Sequence, residues 1–149
     1  MVTSTDPLGR VSRVEFDLLN RLTKTVQPDG SFVTIEYDLE RKEIIKRDNL
    51  DREVRFKYDD PGRLISITRQ NRTNQTFGYD AVDRKVSETD PLGRITRFEY
   101  GKRGNLTKKI YPDGSNEQFQ YNGDDLLICH KNELGFQTKF EWLFAVWRG

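Results

Sequence analysis

The chain has 149 residues, a length suited to one domain. Its 25 basic and 24 acidic residues leave a formal net charge of +1, which excludes the charge excess that recruits nucleic acid or an anionic membrane surface. The lone cysteine, Cys129, excludes an intrachain disulfide, and no stretch reaches the roughly 18 apolar residues of a membrane span. In chain order, DPLG at residues 6–9 places Asp, Pro and Gly where a type I turn prefers them. VSRVEF at Val11–Phe16 alternates apolar and polar residues, the pattern of a half-buried strand. DLLN at 17–20 is a second turn, and RLTKTV at 21–26 is a strand rich in β-branched residues. QPDG at 27–30 is a turn in which Gly30 takes positive φ and forms a bulge into the next strand. The same order then returns, with turns at 59–62, 80–83, 101–104 and 122–125 and strands at 63–68, 95–100 and 105–110. No segment has helical periodicity.

The recurrence has a fixed step, the spacing from Phe16 to Tyr37 and again from Tyr37 to Tyr58. Continued along the chain, the same step meets Tyr79, Tyr100, Tyr121 and Trp142, all aromatic. Two positions earlier it meets Val14, Ile35, Phe56, Phe77, Phe98, Phe119 and Phe140. These two phases hold 12 of the 17 aromatic residues, so the aromatics are placed rather than scattered. Gly9, Gly30, Gly93, Gly114 and Gly135 share a third phase. Charged residues make up 33% of the chain, a share that favours disorder in general, but a near-zero net charge and a phased aromatic comb predict order without a thick core. The expected fold is all-β: tandem strand–turn–strand–turn repeats in a curved antiparallel meander of about 13 strands. The repeats are 6–26, 27–47, 48–68, 69–89, 90–110, 111–131 and a partial one at 132–142, followed by a non-repeat tail at 143–149.

These residues resemble the YD repeats of the Rhs family. The pairs Tyr37-Asp38, Tyr58-Asp59 and Tyr79-Asp80, with Phe16-Asp17 as a variant, carry the resemblance, and YDDPGRLISITR at 58–69 is close to the family consensus. It extends from Asp6 to about Trp142. It implies a long β-strip that spirals into a hollow shell around a toxic or otherwise autonomous C-terminal domain. Bacterial Rhs and wall-associated polymorphic toxins and the C component of insecticidal toxin complexes are built so, and teneurins use a related shell in cell contact. The implied partners are further YD repeats and a C-terminal toxin or effector domain. The implied location is secreted or at the cell surface, although MVTSTDPLGR lacks an apolar signal-peptide core. The chain departs from the complete pattern by lacking the family's self-cleaving terminal core region and any cargo domain. The comb stops after Trp142, and LFAVWRG at 143–149 puts an apolar run where a polar turn is expected. That ending reads as the scar of a truncated or remnant gene product, with self-association through exposed strand edges.

No residue set carries chemistry. Cys129 and His130 are adjacent in a strand, so they face opposite sides of the sheet and do not converge on one site. With one His and one Cys, the chain cannot supply a zinc site of the usual ligands. Asp17, Asp38, Asp59 and Asp80 share one phase of the comb at turns and lack the spacing of a calcium loop, so turn stabilisation is the expected role. The aromatic comb is in phase with the strand pleat, which favours packing along the sheet face over a stacking platform for ligands. The sequons at Asn71, Asn74 and Asn105 matter only in a eukaryotic secretory pathway. No cofactor, metal or catalytic residue is expected.

Size limits the role further. With strands about 4.8 Å apart, about 13 of them make a strip of roughly 60 Å, which closes into a ring only about 20 Å across. A cargo of about 100 residues is about 33 Å across, so the chain cannot wrap it alone. The leading expectation is a non-catalytic segment of an Rhs-type shell. The alternative is a cell-surface adhesion or carbohydrate-binding repeat module, and an enzyme ranks last.

Overall fold

The computed structural model describes residues 1–142; the tail at 143–149 lies outside the described residues. Fourteen strands follow one another: β1 (Val2–Thr5), β2 (Val11–Phe16), β3 (Leu22–Val26), β4 (Phe32–Asp38), β5 (Glu43–Asp48), β6 (Glu53–Tyr58) and β7 (Leu64–Arg69). They continue with β8 (Asn74–Tyr79), β9 (Lys85–Thr89), β10 (Ile95–Tyr100), β11 (Leu106–Ile110), β12 (Asn116–Tyr121), β13 (Leu127–Lys131) and β14 (Gln137–Lys139). No helix occurs among the described residues. Strand neighbours in the sheet follow chain order from β1 to β14, an antiparallel meander as the turn spacing predicts. The strand count exceeds the expected 13 because β1 precedes the first repeat boundary at residue 6 and pairs with β2, Val2 opposite Val14.

Two compact units divide the chain, Met1–Thr76 and the residues from Phe77 onward. In the first, β2 and β3 are in register from Arg13 opposite Val26 to Glu15 opposite Lys24, then shift so that Phe16 faces Leu22. Thr23 is the extra residue of this bulge. The same shift occurs in β6–β7, where Tyr58 faces Leu64. In the second unit it returns in β10–β11, with Tyr100 opposite Leu106, and in β12–β13, with Tyr121 opposite Leu127. In these four hairpins a bulge at a fixed place re-aims the chain just before the turn.

The turns share one geometry. In DPLG at 6–9 the Gly9 N–H donates to the Asp6 carbonyl at 2.9 Å, the Asp6 N–H donates to the Arg10 carbonyl at 3.0 Å, and Gly9 has φ of 77°. This is a three-residue hairpin loop: a type I turn closed by a left-handed residue. That left-handed place is filled by glycine where the comb has one, but by Asn20, Asp51, Arg72, Asp83 and Asp125 elsewhere. The β4–β5 connection departs from the comb. Its left-handed residue is Lys42, one place later than the other turns of its set, and β4–β5 pairing continues without a shift to Asp38 opposite Glu43.

Register sorts the side chains. In the first unit Val33, Ile35, Lys46, Val54, Phe56 and Ile67 share one face, and Thr34, Glu36, Arg47, Glu53, Arg55 and Ser66 share the other. The second face carries an ion-pair ladder: Arg47 meets Glu36 at 2.9 Å and Glu53 at 2.8 Å, and Arg55 meets Glu53 at 2.5 Å. In the second unit Phe98, Lys109, Glu117, Phe119 and His130 share a face. Among the described residues only Ile45, at 4% exposure, is buried. A single layer of sheet offers no second layer to bury against, so stability rests on backbone ladders, cross-strand pairs and turns. The strand contacts run between consecutive strands, the arrangement in which each repeat is held by its neighbours alone.

Candidate functional site

The repeated residues form a lock between successive repeats, and it starts in the turn. Asp17 is the first turn residue. Its Oδ1 accepts the backbone N–H groups of Leu19 and Arg21, both at 2.9 Å, and its Oδ2 accepts Arg21 Nε at 2.7 Å. The same carboxylate clip recurs at Asp6–Arg10, Asp48–Arg52, Asp80–Arg84 and Asp90–Arg94, and Asp59 holds Arg63 in the same way. The backbone N–H of the arginine holds the Asp6, Asp17 and Asp80 carboxyls below the ordinary aspartate value. At Asp48, Asp59 and Asp90, partial desolvation is the largest influence and pushes upward, but the combined bonds from Arg52, Arg63 and Arg94 outweigh it. Asp38, in the displaced turn, is lowered chiefly by the Arg41 N–H, which donates at 2.9 Å. The other turn type, PDGS, uses its second residue: Asp29 accepts from Ser31, and Asp113 from Ser115.

The clipped arginine then receives the next repeat. The Arg21 guanidinium lies 4.5 Å from the Tyr37 ring centre, and the Tyr37 hydroxyl donates to the Leu22 carbonyl at 2.9 Å. Arg84 lies 5.0 Å from the Tyr100 ring, and the Tyr100 hydroxyl donates to the Lys85 carbonyl at 2.8 Å. Trp142 Nε1 donates to the Leu127 carbonyl at 2.8 Å, so indole replaces phenol at the same separation along the chain. Each accepting carbonyl belongs to a residue at the start of a strand, Leu22, Lys85 and Leu127, and the aromatic donor supplies the bond. Asp, Arg and Tyr thus act as one device: the carboxylate fixes the guanidinium, the guanidinium seats the ring, and the hydroxyl fastens it. Each cation–ring contact contributes about 0.5–1 kcal/mol at an exposed site.

The remaining comb residues have mixed surroundings. Phe16 ends β2 at a bulge, and the Tyr58 N–H donates to the Lys42 carbonyl at 2.9 Å. Tyr79 ends β8, and burial pushes the Tyr121 hydroxyl above its ordinary pKa. Gly9, Gly30, Gly93, Gly114 and Gly135 all have positive φ, between 77° and 88°. Cys129 and His130 face opposite sides, Cys129 opposite Gln120 and His130 opposite Phe119. The His130 ring stacks on Phe119 at 4.9 Å, and its Nε2 lies 2.7 Å from Glu117. The Tyr111 hydroxyl, aided by His130 and Lys109, holds the Glu117 carboxyl below its ordinary value. Among the described residues no three His, Cys, Asp or Glu side chains group as metal ligands.

Two signals escaped the residue-by-residue reading of the sequence. One was legible: D-x-x-x-R at 6–10, 17–21, 48–52, 59–63, 80–84 and 90–94 is an aspartate with its clipped arginine, whereas the same spacing at 51–55 falls outside the turn phase and Arg55 pairs with Glu53. The other, the hydroxyl bond from Tyr37 back to Leu22, depends on the bulge offset and has no sequence mark.

The comparisons agree with this geometry. The sequence profile of the family RHS Repeat matches residues 1–31, 58–94 and 79–115, more than half of the chain. Among curated proteins none matches the sequence. The crystal structure of TcdB2-TccC3-Cdc42 is similar in fold, with a TM-score of 0.66 and 15% identity over 82% of this chain and 7% of that one. That of TcdB2-TccC3 gives a TM-score of 0.67 at the same identity and coverage. TcdB2-TccC3 without its hypervariable C-terminal region gives 0.55 at 12% identity, over 89% of this chain and 10% of that one. At such identities the likeness is one of fold, and this chain spans about a tenth or less of each of those chains. With its comb of YD turns and their locks, the chain belongs to the RHS repeat family.

Proposed function

We propose that the chain is a non-catalytic length of wall: a strip of RHS repeats that, with further repeats, encloses a toxin or effector polypeptide. The observation that carries this reading is the single layer of strands held by their neighbours, in which Tyr37 and Tyr100 are fastened back to the preceding repeat and only Ile45 is buried among the described residues. Such a strip extends by addition of identical units and holds its shape through neighbours, which suits a wall and gives no enclosed chamber for catalysis. The similarity to TcdB2-TccC3 structures, of which the chain spans 7%, supports a part within a larger assembly. The proposed units are the repeats at 6–26, 27–47, 48–68, 69–89, 90–110, 111–131 and the partial 132–142, with Tyr37, Tyr58, Tyr79, Tyr100, Tyr121 and Trp142 as their fastening residues.

In each unit the face bearing Phe56 or Phe98 is the apolar one, and it is the face turned toward the enclosed polypeptide. Lysines mark the two faces: Lys46 and Lys109 lie on the apolar face, Lys57 and Lys108 on the polar one. The test is lysine cross-linking of the complete assembly followed by mass spectrometry. Links to a non-repeat polypeptide from Lys46 and Lys109, without links from Lys57 and Lys108, are the expected result. Links from both faces alike, or to no non-repeat polypeptide, contradict the reading.

A further inference from the structure

The first unit holds a groove that the repeat locks do not use. It lies on the apolar face where β4 to β7 meet the turns at 48–52 and 69–73. Val33, Val54 and Phe56 form its apolar part, and its volume is about 670 Å³, within the range of ligand-binding sites. The Lys46 ammonium stands 5.4 Å from the Phe56 ring centre. Val54 is paired with Lys46 on one side and Arg69 on the other, so two basic residues flank one apolar residue, their backbones about 10 Å apart across two strand spacings.

The charges lining the groove are unequal in their partners. Arg52 is held by Asp48 at 2.6 Å, and Arg47 is held by Glu36 and Glu53. Neither Lys46 nor Arg69 has a carboxylate within ion-pair distance among the described residues. The groove's acids are therefore already matched, and its unmatched charge is positive.

We infer that this groove seats a polypeptide segment carrying a large apolar side chain with a carboxylate within two residues of it. The apolar side chain lies against Val33, Val54 and Phe56, and the carboxylate is met by Lys46 or Arg69. A chain segment fits better than a small molecule because the groove is open along the sheet face and cannot surround a compact ligand. The carboxylate answers the positive charge that Lys46 and Arg69 leave unmatched on the groove. The inference gives a partner chemistry to the same apolar face and so rests on the enclosure reading. Its test uses the chain alone, so its failure is distinguishable from failure of the cross-linking experiment.

The probe is the peptide acetyl-Gly-Glu-Phe-Glu-Gly-amide, titrated into the ¹⁵N-labelled chain and followed by backbone amide shifts. Shifts centred on Lys46, Val54 and Arg69, saturating below about 5 mM peptide, are expected, an affinity of the millimolar class. Replacing both glutamates of the peptide by Gln, or its Phe by Ala, is expected to weaken binding. The Lys46→Gln, Arg69→Gln double variant is expected to weaken it by about fivefold, the loss of two exposed charge contacts. Lys57→Gln, on the opposite face, is expected to bind as the parent does. If the double variant fails to fold, the parent itself is titrated at about 0.5 M salt, where screening shortens the reach of charge to a few ångströms and affinity must fall. No shifts at those residues, equal affinity for the Gln peptide, or salt-independent binding overturns the inference.

Discussion

The Tyr37 hydroxyl donates to the backbone carbonyl of Leu22 at 2.9 Å, in the preceding repeat. The bond fastens the second strand pair to the first at the place where the bulge carries the backbone out of regular pairing. Tyr100 and Lys85 repeat the arrangement in the second unit. Tyr100→Phe keeps the ring over Arg84 and removes only the hydroxyl, so it isolates the bond. The expected loss in unfolding free energy is about 1 kcal/mol, measured by urea denaturation followed by circular dichroism. Tyr100→Ala should cost more, since it also removes the ring that Arg84 covers. Equal stability of Tyr100→Phe and the parent would contradict a fastening role.

Asp90 has two separable tasks. Its Oδ1 closes the turn by accepting from Leu92 and Arg94, and its Oδ2 holds the Arg94 side chain. Asn132 performs the first task alone, accepting from Leu134 and Phe136. Asp90→Asn is therefore expected to lower the urea midpoint only slightly, and Asp90→Ala substantially, because alanine leaves two backbone N–H groups without their acceptor. Identical midpoints for the two variants would show that the charge, not the turn geometry, carries the effect.

Left-handed turn residues give a prediction of opposite signs. Gly93 has φ of 79°, and Gly93→Ala is expected to cost about 1–2 kcal/mol. Arg72 occupies the corresponding place with φ of 60°. Arg72→Gly relieves that strain while loosening the unfolded chain, and is expected to be neutral to about 1 kcal/mol stabilising. Both are read as shifts in the urea midpoint.

Acid should dissolve the turns together. Asp6, Asp17, Asp48, Asp59, Asp80 and Asp90 all have carboxyls lowered below 3.8. Depressed folded-state values mean that their stabilisation is fully present above the unfolded value and is lost as pH falls through the folded ones. The urea midpoint is expected to be flat from about pH 7 to pH 5 and to fall below about pH 4. The Asp90→Asn variant should fall less steeply, having one such group fewer. A midpoint rising toward low pH would contradict the clips.

The strands and turns were legible in the sequence because both signals are local: alternation within VSRVEF, and Asp, Pro and Gly at fixed turn places in DPLG. The opposite facing of Cys129 and His130 followed from the same alternation. What lay beyond reach depends on register. The stacking of His130 on Phe119 and its approach to Glu117 need the β12–β13 pairing to be known. The hydroxyl bond from Tyr37 to Leu22 needs the bulge that makes Thr23 the extra residue. The β4–β5 connection broke the comb because its left-handed turn falls at Lys42 and the ladder runs on to Asp38, which an aromatic period at Tyr37 does not reveal. The Asp–Arg clip was written plainly in the spacing but required the turn's backbone path to bring Arg21 back over Asp17.

The central claim is that this fold is a series of repeats held by neighbours, with no shared core. In-frame removal of residues 90–110 tests it most directly. That cut takes out one whole repeat, so Thr89 is followed by the 111–115 turn and β9 takes β12 as its neighbour, with the comb intact. The shortened chain is expected to keep a β-sheet circular dichroism spectrum and a cooperative urea transition at somewhat reduced stability. Removal of residues 90–99, which breaks the comb, should unfold the strands around the cut. Complete unfolding after the whole-repeat cut, as removal of two strands from a common core would cause, contradicts the account.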